Sequence, residues 1–215
     1  MKKDSQLVDD YIDALMETKA VQFRSVDEEP FTLRSGKKSY VYVNHARLAV
    51  LARGFELLID SLADLLTSHY GQQDFILCNV DSKISAQMAG ALAYKLNKRQ
   101  VIFKSDQFTA IEKGPGEQLT GLTSWDDPIA IVDDVTTTGA TAKNVAEVIA
   151  KTFPKIKDID IFVGVVRSKG LPELLSDNQR FPLHSVLTLN ELLNILAPTA
   201  KEEEKKAMRA EQEAK

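Results

Sequence analysis

Pro128-Ile129-Ala130-Ile131-Val132-Asp133-Asp134-Val135-Thr136-Thr137-Thr138-Gly139-Ala140-Thr141-Ala142 is the stretch on which the reading of this chain turns. Four apolar residues run straight into two aspartates, three threonines and Gly139. A short apolar run that ends in a turn reads as a buried strand. Two adjacent carboxylates repel each other, and three successive β-branched hydroxyl residues are poor helix formers. Such a segment costs stability unless a ligand compensates. The turn's N–H groups and the start of the next helix attract phosphate. The carboxylates can accept hydrogen bonds from sugar hydroxyls, directly or through Mg²⁺. The stretch therefore reads as a holder of a sugar phosphate; a strand end with an acidic helix cap is the plainer alternative.

Outward from it, strands and helices alternate. Phe75–Cys78, Gln100–Phe103, Ile129–Val132, Ile159–Val166 and Val186–Leu187 read as strands. Ile84–Leu96, Gly139–Phe153 and Leu189–Leu196 read as helices, the last capped by Thr188 or Asn190. This rhythm predicts an α/β fold, a mostly parallel twisted sheet with helices on both faces. Ligands in such folds bind at the carboxyl ends of strands, where Asp133 and Asp134 lie. Before the sheet, Asp4–Ala20 is an amphipathic helix with Leu7, Val8, Tyr11, Ile12 and Leu15 on one face. Tyr40–Val43 is β-prone, and His45–Tyr70 has one long helical period that Gly71 is placed to end. The chain is expected to divide into a helix and small hood element over 1–44, a core over 45–198 and a charged tail over 199–215.

The 215 residues, 44% hydrophobic, suit one core with a small appendage. A net charge of -4 gives no electrostatic reason to expect nucleic-acid binding. The single cysteine, Cys78, excludes an internal disulfide and a multi-cysteine zinc site, and its apolar setting marks a buried, inert thiol. With no signal-type segment and no apolar run of membrane length, a soluble, cytoplasmic protein is expected. His45, His69 and His184 are scattered, read as structural, and show no metal-ligand spacing. Lys201–Lys215, with five acidic and five basic residues, reads as a frayed, solvated helix.

The segment Asp133–Thr141 resembles the signature with which type I phosphoribosyltransferases bind 5-phosphoribosyl 1-diphosphate (PRPP). Phe31-Thr-Leu-Arg34-Ser-Gly-Lys-Lys-Ser-Tyr-Val-Tyr42-Val43-Asn44 is similar to the N-terminal element of the orotate phosphoribosyltransferases, F-T-L-K-S-G-x-x-S-P-Y-F-x-N. The resemblance puts Arg34 at the position of a substrate-contacting lysine and Tyr42 and Val43 at base-contacting aromatic positions. Val165-Val166-Arg167-Ser168 resembles a family strand ending in the arginine that holds the base's carboxylate, a task suited to a guanidinium fork. The resemblance runs from about Asp4 to Pro198 and leaves out the charged tail.

Two stretches depart from the family. Asn79-Val-Asp-Ser82-Lys83 keeps the lysine of G-P-x-Y-K-G but loses its glycines and tyrosine, so Lys83 is either a diphosphate contact or a surface lysine. The family's mobile loop, R-K-x-x-K-x-H-G, corresponds to Lys104–Gly116, which has Lys104 and Lys113 and no histidine.

The resemblance implies transfer of a phosphoribosyl group from PRPP to orotate, with Mg²⁺ as cofactor. Asp133 and Asp134 would hold the ribose; Val135, Thr136, Thr137, Thr138, Gly139, Ala140 and Thr141 would cradle the 5′-phosphate. Ser82, Lys83, Lys104 and Lys113 would face the diphosphate under a closing loop. Arg34, Tyr42, Val43, Thr137 and Arg167 would meet the base. A homodimer is implied too. Two alternatives stay open: a non-catalytic PRPP or nucleotide sensor of the same fold, and transfer to another base.

Overall fold

The structure, a computed structural model, describes residues 5–33, 35–103, 127–168, 174–176 and 179–213. Arg34, Lys104 and Lys113 lie outside the described residues. The chain begins with α1 (Ser5–Glu17), β1 (Val21–Phe23), β2 (Phe31–Thr32), β3 (Lys38–Ser39) and β4 (Val41–Val43). Then come α2 (His45–Leu48), α3 (Ala52–Tyr70), β5 (Ile76–Asn79), α4 (Lys83–Leu96) and β6 (Arg99–Val101). Next are β7 (Ile129–Thr136), α5 (Ala140–Thr152), β8 (Ile159–Val166), β9 (Leu174–Ser176) and β10 (Gln179–Phe181). β11 (Leu183–Thr188), α6 (Leu189–Leu196) and α7 (Glu202–Glu213) complete it.

Five strands form one sheet in the order β11-β8-β7-β5-β6, parallel at every pairing. Successive strand residues point to opposite faces. Ala130 and Val132 of β7 therefore join one core, with Leu58, Leu62 and Leu66 of α3 and Met88 and Leu92 of α4. Ile129 and Ile131 join the other, with Val145, Ala146 and Ile149 of α5. Both faces are covered, which is why these strands read as unbroken apolar runs. Cys78 is fully buried between β7 and β6, and burial pushes its thiol up to about 12.

The hood has its own small sheets. β1 pairs antiparallel with β4, a strand pairing the sequence reading leaves out. β2 and β3 form a hairpin closed around Gly36.

Three expectations need correction. The helical pattern from His45 to Tyr70 is two helices, because Leu51 is extended (φ −98°, ψ 122°) and Val50 stands out in solvent at 81% exposure. Apolar spacing does not register such a break, since residues on both sides still fit one face. The strand carrying the carboxylates runs to Thr136, so Asp133 and Asp134 sit inside the ladder, Asp133 level with Val163. The charged tail is not a solvated helix: α7 lies against β1 and β4, with Ala207, Met208 and Glu211 buried. Three inward positions in twelve residues are too narrow a stripe for periodicity to find.

Candidate functional site

A cleft of about 400 Å³ opens at the carboxyl end of β7. Asp133 through Thr138, Ala140 and Thr141 line it on one side. Leu33, Ser35, Tyr42 and Val43 of the hood line it on the other, with Val80, Ser82 and Arg167 between. The fold thus brings the acidic segment together with hood residues about ninety positions earlier.

The turn is built from its own hydroxyls. Thr136 Oγ1 accepts from the Gly139 N–H at 3.0 Å, and Thr138 Oγ1 from the Ala140 N–H at 3.4 Å. Gly139 caps α5 in the left-handed region (φ 74°), and a Cβ there would lie 2.7 Å from Leu174 Cδ2. Only glycine meets both conditions without strain. The first turn of α5, at Ala140 and Thr141, then faces the cleft with the positive end of the helix dipole.

The carboxylates have different surroundings. Asp133 is buried and its Oδ1 accepts from the Asp134 N–H at 2.9 Å. Asp134 reaches the cleft, and its Oδ2 lies 3.7 Å from His45 Nδ1. His45 is wholly buried; its Nε2 is hydrogen-bonded to the Tyr11 hydroxyl, and its Nδ1 has no hydrogen-bond partner among the described residues. Burial holds the imidazole below its ordinary value, against the pull of Asp134, so it is neutral at pH 7. Burial, then Asp134, raises the Tyr11 phenol well above its ordinary range. Gly164 of β8 makes room for this array: a Cβ there would be 2.9 Å from the Asp134 carbonyl oxygen and 3.1 Å from the Tyr11 hydroxyl. His45 was read as a scattered structural histidine; its place directly after Asn44 of the family-like element is the one sequence signal for it.

Ser82 caps α4, and its Oγ accepts from the Ser85 N–H at 3.1 Å. Ser85 Oγ in turn donates to the Val132 carbonyl at 2.6 Å and accepts from the Val80 N–H at 2.9 Å, tying this loop to the acidic strand. Sequence reasoning missed Ser85 because a lone serine in an alanine-rich helix carries no signal. Lys83 is exposed at the start of α4 and is not among the residues lining the cleft.

Arg167 follows β8 and is 3% exposed. Its Nη2 donates to Ser39 Oγ and to the Val41 carbonyl, both at 2.7 Å, and to Glu211 Oε1 at 3.3 Å. Burial lowers its pKa, while Glu211 and Tyr42 raise it. Tyr42 packs against Phe31, with ring centroids 5.5 Å apart, and Val43, the next residue of β4, is buried.

Asp133 and Asp134 offer the hard oxygen donors that Mg²⁺ prefers and both line the cleft, so the residues present fit that ion. A second group with metal-ligand chemistry lies elsewhere. His69, Asp160 and His184 bring one ligand atom each within 4.8 Å of one another. Asp160 pairs with Ala130 in register, at the opposite end of the strands from Asp133. The group could take a metal ion but stands apart from the cradle. The sequence placed these histidines 115 positions apart, and only the sheet joins them.

No family model matches the chain. It is 30% identical over 169 residues to an orotate phosphoribosyltransferase of Thermococcus gammatolerans, covering 75% of this chain and 84% of that one. It is 29% identical over 153 residues to the enzyme of that name from Thermococcus kodakarensis, covering 70% and 78%. Among solved structures, a Leishmania donovani UMP synthase superposes with TM-score 0.69 at 20% identity, over 97% of this chain and 42% of that one. An orotate phosphoribosyltransferase from Aeropyrum pernix superposes with TM-score 0.61 at 21% identity, over 87% and 99%. At these identities the superpositions speak for the fold, the Thermococcus relatives for the lineage. No helix among the described residues is long and apolar enough to cross a membrane. With a parallel sheet, an acidic strand, a glycine-capped turn and these relatives, the chain belongs to the type I phosphoribosyltransferases and is orotate-phosphoribosyltransferase-like.

Proposed function

We propose that this protein transfers the 5-phosphoribosyl group of PRPP to orotate, giving orotidine 5′-monophosphate and diphosphate. The observation that carries this reading is one cleft in which the acidic strand and phosphate turn face Tyr42, Val43 and a buried guanidinium. The 5′-phosphate would rest on the turn from Thr136 to Thr141, against the N-terminus of α5. Asp133 and Asp134 would hold the ribose hydroxyls. The planar base would lie against Tyr42 and Val43, with its carboxylate turned to Arg167.

In the reaction the bond from the anomeric carbon to diphosphate breaks, a base nitrogen forms a bond to that carbon, and the proton that nitrogen carried leaves with the diphosphate or to water. The intervening ribose carries oxocarbenium-like positive charge. The fixed carboxylates suit that charge, and holding both reactants in one cleft removes much of the entropic barrier. His45, buried behind Asp134 with its Nδ1 3.7 Å from Oδ2, would limit where that carboxylate can sit. Mg²⁺, when bound, would offset the negative charge of the departing diphosphate.

The test is incubation with PRPP, Mg²⁺ and orotate, following loss of orotate absorbance, then repetition with uracil, hypoxanthine and adenine. Orotate turnover that drops by about 100-fold or more in Asp134→Asn is expected. A second reading, transfer to a base without a carboxylate, is favoured by the contact of Glu211 with Arg167. Turnover of a neutral base but not orotate selects it. PRPP binding by calorimetry with no base consumed selects a sensor instead.

A further inference from the structure

We infer that Glu211, in the charged tail, sets the charge of the base subsite and so tunes the preference between an anionic and a neutral base. This rests on the function proposed above and names a determinant of its specificity.

The argument starts from donors and acceptors. Glu211 is 3% exposed and reaches both the hood and the guanidinium. Its Oε2 lies 2.6 Å from the Ser39 hydroxyl and accepts from the Tyr40 N–H at 3.1 Å, and its Oε1 accepts from Arg167 Nη2 at 3.3 Å. Ser39 Oγ also lies 2.6 Å from the Val41 carbonyl, and that carbonyl already receives Arg167 Nη2 at 2.7 Å. A hydroxyl has one proton. A carbonyl accepts two bonds, so that proton can serve Val41 or Glu211, and the Tyr40 N–H and Arg167 Nη2 hold the carboxylate in either case. The carboxylate is thus locked to both the hood and the guanidinium.

The consequence is electrostatic. Arg167 is the one cation among the described residues that line the cleft. A carboxylate-bearing base would rely on it, yet the chain supplies a carboxylate of its own to the same side chain. An incoming anion meets a pair whose charges largely cancel, and in a buried setting that cancellation is felt strongly. A neutral base is indifferent to it. Glu211 therefore acts by its charge on the subsite, cancelling that of Arg167, and not by contact with the base. A purely structural role would move stability and the use of every base together; a charge-setting role moves the ratio between bases.

The experiment compares Glu211→Gln, which keeps size and removes charge, with Glu211→Asp, which keeps charge and alters reach. Specificity is read as kcat/KM for orotate over uracil, or as the ratio of Ki values where a base binds without turnover. The ratio is expected to rise about tenfold in Glu211→Gln, from removal of one buried charge near the subsite, and to stay near wild type in Glu211→Asp. Adding Glu211→Gln to Arg167→Gln should likewise recover orotate use relative to Arg167→Gln alone, an arm that holds even if the single glutamine variant folds poorly. An unchanged ratio, or equal shifts in the glutamine and aspartate variants, overturns the inference while leaving the proposed function standing. A wild-type protein that neither turns over nor binds any base overturns both.

Discussion

The acidic side of the cleft comes from one continuous run, Asp133 to Thr141, on a strand, a turn and the helix after it. The opposite side is assembled from far apart: Tyr42 and Val43 in the hood and Arg167 after β8, backed by Glu211, which meets Tyr40 across 171 positions. The first side is held by local bonds such as Thr136 to Gly139. The second depends on α7 docking onto the hood. A site whose two halves differ in this way should fail in two different manners, and mutations can separate them.

Removing α7 by truncation after Lys201 should have the largest effect. It uncovers the surface under Met208 and leaves Arg167 buried without Glu211, a loss of about 3–5 kcal/mol seen as a lower urea midpoint. PRPP binding by the fragment that still folds should persist while discrimination between bases changes. Loss of PRPP binding in a folded truncation would erase the distinction between the halves.

His45→Ala strikes the other side. It empties a buried site and strands the Tyr11 hydroxyl, at a cost of about 2–4 kcal/mol. Calorimetry should find weaker PRPP binding with the orotate-to-uracil ratio unaltered. Gly139→Ala, strained at φ 74° and pressed against Leu174, should cost about 1–3 kcal/mol and weaken phosphate affinity at least about tenfold.

Asp74→Asn sharpens the comparison by acting on neither half. Lys98 and, less strongly, Arg99 hold the Asp74 carboxyl below its ordinary value of 3.8. Its folded-state pKa is depressed, so its contribution is complete above the ordinary value and disappears as pH falls through the lowered one. The pair is solvent-screened, so thermal melts of the variant should differ by under about 0.5 kcal/mol at neutral pH and not at all in strong acid. Activity should be unchanged.

Much of this was legible because it is local. The alternation of strands and helices, the extent of Ile159–Val166 and Leu189–Leu196, and the glycine turn follow from neighbours in sequence, where hydrophobic period and backbone preference act over a few residues. Of the two candidate caps, Thr188 and Asn190, it is Thr188 that forms a full capping box with Glu191, for the same reason. The break between α2 and α3 was hidden, since both pieces share one apolar face. So were Ser85 and the pairing of β1 with β4, whose partners are distant.

The residues alone determined the acidic strand and the glycine turn after it: an apolar run, paired acids, three threonines and a glycine act on the backbone over a few neighbours. Tertiary structure decided what surrounds it. It set a neutral His45 behind Asp134, gathered His69, Asp160 and His184 at the far end of the sheet, and turned a polar tail inward so that one glutamate meets a buried arginine. The physical reason is range: charge and burial act through space, and spacing along a chain does not say which charges will share a low-dielectric pocket.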